Sequence, residues 1–130
     1  MSTGSSRGAG QALPPGWPAE VRPPASQEWE RSAVGWLFEQ CPPDYRAYDV
    51  LRRFPLVLAR FAASNLDGAI EAADHGLQTV RAELRDRVPP EAVEAAVAAY
   101  ERERHRLQVA RGAVDLVERA LRGERWVPRL

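Results

Sequence analysis

Residues 55–88, PLVLARFAASNLDGAIEAADHGLQTVRAELRDRV, hold no proline after their first position. Their apolar side chains Ala59, Ala63, Leu66, Ile70, Ala73, Leu77, Val80 and Leu84 recur at alternating steps of four and three. Such spacing keeps one stripe on one side of a helix and is the pattern of a coiled-coil seam. Pro89 and Pro90 end the run, and Pro90 suits the first turn of a new helix, with Glu91 and Glu94 near its positive end. The second helix reads on to Arg122 and Gly123. Its stripe is less regular: Val93, Val97, Tyr100, Leu107, Ala110, Val114, Val117 and Leu121, with Glu103 or Arg104 where an apolar residue is due. So short a connection reverses the chain. Two arms, each roughly 45–50 Å long at about 1.5 Å per residue, then pack antiparallel. The turn sets the register: Leu84 opposite Val93, Val80 opposite Val97, Leu77 opposite Tyr100 and Ile70 opposite Leu107. Ala73 leaves room for Arg104, whose stem crosses the seam and whose head reaches water, Glu71 or Asp74.

Upstream, Ser26 is placed to cap a helix over 27–40 whose stripe is Trp29, Ala33, Trp36, Leu37 and Phe38. Pro42 and Pro43 end it. A shorter helix over 44–53 carries Tyr48 and Leu51 inward, until Pro55 pushes Phe54 out of the helical region. Residues 1–25 are rich in Gly, Ser and Pro, including Pro14, Pro15, Pro18, Pro23 and Pro24, and read as a disordered tail. The expected fold is therefore all-α: a long antiparallel helical hairpin, coiled-coil-like, with a shorter N-terminal helix and a helical elbow packed at its base. One helical domain spans 26–123, with helices at about 27–40, 44–53, 55–88 and 90–122, and residues 124–130 form an extended tail.

The 130 residues include 18 Arg, no Lys and 18 acids, so the formal charge is zero and no global field draws the chain to nucleic acid or an anionic membrane. Local charge is split. Residues 61–118 hold 7 Arg against 11 acids, net −4, whereas 44–60 carry +2 and 119–130 carry +3. Aromatics follow the basic residues: of ten Phe, Trp and Tyr, eight lie outside 55–122. An antiparallel hairpin gathers these segments at the pole away from its turn, giving an aromatic, basic base and an acidic arm. Trp17, Arg125, Trp126 and Arg129 are the candidate partner contacts there, because Trp and Arg are the side chains that most often anchor interfaces. For Trp17 the plainer reading folds it back on its own domain. A short elbow over a long hairpin is also expected to leave Leu56, Leu58, Val109 and Leu116 uncovered, surface that suits a homodimer or another protein partner.

Chemistry is sparse. His75 and His105 fall off the seam and read as surface imidazoles, and two His with one Cys fall short of a structural zinc set. Cys41 has no evident base nearby and reads as a small buried apolar side chain. The run Gly4-Ser-Ser-Arg-Gly-Ala-Gly10 lacks the Lys-Ser/Thr of a phosphate loop. No catalytic residue, cofactor or metal site is expected. Without a secretory leader or a membrane-length apolar run, a cytoplasmic setting is expected. The leading reading is a non-enzymatic interaction, scaffold or regulatory protein. One alternative is a nucleic-acid-associated protein using the basic base. The other is a metal-binding or enzymatic bundle using His75 and His105.

The segments Leu13-Pro-Pro-Gly-Trp-Pro18, Cys41-Pro-Pro-Asp-Tyr-Arg-Ala-Tyr48, Val50-Leu-Arg-Arg-Phe-Pro55 and Val127-Pro-Arg-Leu130 resemble those of small uncharacterised helical proteins of high-GC actinobacteria. The resemblance covers nearly the whole chain after the first dozen residues. It implies a high-GC origin and a cytoplasmic setting, and it transfers no activity and no functional residue.

Overall fold

A computed structural model describes residues 12–129. Its regular elements are helix α1 (Trp29–Glu39), a 3₁₀ turn (Pro43–Ala47), helix α2 (Asp49–Arg53), and the two long helices α3 (Pro55–Leu84) and α4 (Pro90–Leu121). Among the described residues there is no strand. The fold is an all-α helical hairpin, α3 against α4, with α1 and the elbow packed at its open end.

The alternating stripe is the inner face of α3: Ala59, Ala63, Leu66, Ala73 and Val80 are buried, facing Val93, Leu107, Val114 and Val117 of α4. Register is written along one edge of the seam. Arg60 meets Glu118 at 2.9 Å, Arg111 meets Asp67 at 2.8 Å, and Arg104 meets Asp74 at 3.2 Å. Each successive pair is seven residues further along α3 and seven further back along α4, so the edge repeats with the heptad. Arg104 thus reaches one of the two acids expected for it. Tyr100 lies against Gly76, where an added Cβ would collide with the ring. The missing side chain makes room for the ring.

Several boundaries depart from the sequence reading. Helix α3 stops at Leu84, four residues before the expected end, because Asp86 turns into the left-handed region at φ 63° and the amides of Arg87 and Val88 bond back to the Leu84 carbonyl. The helix expected over 44–53 is two pieces, broken at an extended Tyr48. That break sends Leu51 into the core but leaves Tyr48 53% exposed, correcting its inward placement. Ser26 does not cap α1. Its hydroxyl bonds to the Pro23 carbonyl, and Glu28, at φ 68°, stands at the cap position instead.

The largest correction concerns the tail. Residues 1–11 and Leu130 lie outside the described residues, but residues 12–25, expected to be disordered, are folded against the hairpin. Pro14-Pro15-Gly16-Trp17 forms a turn closed by the Trp17 amide on the Pro14 carbonyl at 3.1 Å, with Pro second and Gly16 third at φ +92°. This is the residue order a type II turn requires. The turn lays Gly16 against Leu116 and leads to Val21, only 3% exposed. Ser32 ties the segment to α1, accepting from the Arg22 amide at 2.9 Å and donating to the Trp29 carbonyl at 2.8 Å. Here proline fixes turns that present Trp17 and Val21 to a core, so little chain entropy is left to oppose docking.

Candidate functional site

The open pole brings together segments distant in sequence. Helix α4 ends in a left-handed Gly123 (φ +88°), with the Gly123 amide on the Ala120 carbonyl and the Glu124 amide on the Arg119 carbonyl, both at 3.0 Å. This pair of bonds is a Schellman cap, and it folds the following residues back along the helix. Glu124, Arg125, Trp126 and Val127 then form one wall of a groove of about 580 Å³. Leu13, Pro14 and Trp17 form the opposite wall, and Leu116, Arg119 and Ala120 the floor.

Trp17 is half-buried. Its indole N–H donates to the Val21 carbonyl at 2.8 Å and its ring packs against Trp29 at 6.5 Å, so its polar edge is satisfied within its own chain and an apolar face lines the groove. Trp126 is 42% exposed. Arg125 lines the same groove, whereas Arg129 is exposed beyond it. Of the four contacts singled out in the sequence, the groove therefore unites three.

A second surface lies on the elbow. Tyr45 packs on Tyr48 at 5.9 Å and edge-on to Phe61 at 5.8 Å, linking the 3₁₀ turn to α3. Tyr48, Val50, Phe54 and Phe61 are all exposed. Arg46 and Arg52 both bring their guanidinium carbons to 5.5 Å from the centre of the Phe38 ring, and Arg53 lies over Phe54.

Glu118 was not singled out in the sequence. It is only 6% exposed and takes hydrogen bonds from Arg60 at 2.9 Å and from Arg122 at 2.9 and 3.2 Å. Burial is the strongest single influence on this carboxyl and opposes its charge; the two guanidinium groups together outweigh it and hold the carboxyl below the usual carboxylate range. The signal available in sequence was Glu118's place one residue after the seam position Val117, at the inner edge of the stripe.

Arg60 and Arg122 are committed to Glu118, Arg119 to Asp115 at 3.2 Å and Arg53 to Asp49 at 3.7 Å, which leaves the base less cationic than its sequence suggests. His75 and His105 are exposed on different arms, and among the described residues no group of three or more His, Cys, Asp or Glu is arranged to hold a metal. Leu58, expected on the surface, is fully buried, while Val109 is exposed and Leu56 and Leu116 are partly covered. Cys41 is buried, its thiol 3.5 Å from the Leu37 carbonyl. Burial pushes that thiol up, against the opposing charge of Arg46. No described helix is long and apolar enough to cross a membrane. Comparison with protein-family models, curated proteins and solved structures found no match to the chain.

Proposed function

We propose that the chain is a non-enzymatic interaction protein, a rigid helical hairpin that presents the groove at its open pole to a partner protein, a second copy of itself included. The observation that carries this reading is the union of Trp17 and Trp126 with Arg119 and Arg125 around one groove of mixed polar and apolar lining. Tryptophan and arginine supply large contact areas and forked hydrogen bonding, and such residues clustered in a concave, partly desolvated site are what interface anchors look like. The rest of the hairpin is the support: its long seam and edge ion pairs hold the floor of the groove in place. The proposal sets the protein in the cytoplasm, where a lone reduced thiol such as Cys41 is the ordinary state.

The test is site-specific photocrosslinking in cells, with the photoreactive side chain at Val127 on the groove wall or at Val109 on the outer face of α4. A discrete adduct from position 127 that position 109 does not give, and that Trp126→Ala removes, is the expected result. Equal labelling from both positions, or none from 127, would sink the groove as the contact. Light scattering after size exclusion of the full chain and its Trp126→Ala variant then separates the two kinds of partner. A dimer that the substitution turns into a monomer identifies the second copy.

A further inference from the structure

Where two arginines converge in this molecule, a carboxylate lies between them: Arg60 and Arg122 on Glu118. The elbow repeats the convergence without the acid. Arg46 and Arg52 each sit 5.5 Å from the centre of the Phe38 ring, and Arg52 Nη2 donates to the Arg46 carbonyl at 2.9 Å, which fixes its head group. Among the described residues neither guanidinium has a carboxylate within 4.0 Å: Asp49 is paired with Arg53, and Asp44 makes no ion pair. Two like charges drawn to one ring, with donors still open, make a receptor for anionic oxygen. Tyr45, the neighbour of Arg46 in the 3₁₀ turn, extends this receptor through its packing with Tyr48 and Phe61 into an exposed apolar shelf.

We propose that the elbow docks an acidic, apolar segment of a partner protein, its carboxylates received by Arg46 and Arg52 and its apolar side chains by Tyr48 and Phe61. Charge complementarity selects this occupant over the others. A single-stranded nucleic acid needs a basic groove that tracks its backbone as well as rings to stack on, and here Arg46 and Arg52 share the elbow with Asp44 and Asp49. An anionic membrane is held by clusters of basic residues, on the order of four to eight, and this elbow also carries Asp44 and Asp49. The acidic arm of a second copy offers fewer open carboxylates, because Asp67, Asp74, Glu94, Glu103 and Asp115 are already paired with arginines of their own chain. The surface is separate from the Trp126 groove, so either can fail without the other.

The probe is a short, fluorescently labelled helical peptide with Leu and Glu on one face, beside its Gln-for-Glu counterpart, titrated by anisotropy against the full chain at low and moderate salt. The expected result is binding of the Glu peptide that weakens with salt. It falls about tenfold or more for the Gln peptide and for the Arg46→Gln/Arg52→Gln variant, and is unchanged for Trp126→Ala. Tyr48→Ser, at an exposed position, gives an independent reading if the double variant disturbs the turn, and should weaken binding of both peptides. Equal affinity for Glu and Gln peptides, no binding, or binding untouched by the elbow variants overturns the proposal. So does tighter binding of a single-stranded oligonucleotide or of anionic vesicles, or self-assembly that the double variant abolishes.

Discussion

Glu118 is fixed from both arms at the open end of the hairpin, by Arg60 on α3 and Arg122 at the end of α4. Because its folded pKa is depressed, its contribution is fully present above the ordinary carboxylate pKa of about 4.3 and is lost as pH falls through that value toward the folded one. Urea unfolding of the wild type and Glu118→Gln should differ by about 1–3 kcal/mol at neutral pH, the worth of hydrogen bonds to a charged group, and converge in acid. A gap independent of pH would assign the loss to packing. Cys41 behaves oppositely: with its thiol buried and its pKa raised, alkylation of the native protein at neutral pH should be slow and should accelerate on unfolding in urea. Gly76 is decided by a single neighbour. Replacing it with Ala gains up to about 1 kcal/mol of helix propensity but drives a Cβ into the Tyr100 ring. Gly76→Ala should therefore stabilise more in a Tyr100→Ala background than in the wild type. Equal effects in both backgrounds would mean that the ring swings aside at no cost.

Among the elements, α3 and α4 draw their stability from the seam and their register from its edge. Leu58→Ala removes a fully buried side chain where α1 and the elbow meet α3, and should cost about 2–5 kcal/mol in chemical denaturation. Val109→Ala, on the exposed face of α4, should stay within about 0.5 kcal/mol. Gly123→Ala places a side chain in the left-handed cap that turns the C-terminal residues back, costing about 1–2 kcal/mol; the same strain should redirect Trp126, visible as a change in tryptophan fluorescence. The heptad was legible because apolar periodicity is a local property of one helix. The end of α3 was not. Residues 85–88 carry no proline or glycine, and Asp86 enters the left-handed region only because the chain must reverse to set α4 against α3.

At the scale of the whole molecule, the N-terminal segment is a strap across the base. Val21 is buried, Trp17 packs on Trp29, and Gly16 lies on Leu116, so removing residues 1–25 uncovers parts of both α1 and α4. Such a truncation should lower the thermal midpoint and raise binding of a hydrophobic dye. A midpoint unchanged from the full chain would mean that the strap rests on the core without supporting it. The same pole carries both the groove and the elbow surface, while the acidic arm extends away from them.

By itself the sequence determined the all-α class, the antiparallel hairpin, the crossing of Arg104 over the seam at Ala73 and the gathering of aromatics at one pole. Each follows from side-chain periodicity and the placement of proline, which act over one or two helical turns. Only the tertiary structure decided that the Pro-rich segment is docked, that Glu118 is a buried double acceptor and that Arg46 and Arg52 converge without an acid. Those outcomes depend on which distant groups share a volume. A proline-rich stretch reads as disorder until a core offers Trp17 and Val21 a place, and a charge reads as solvated until α3 carries a second arginine to it.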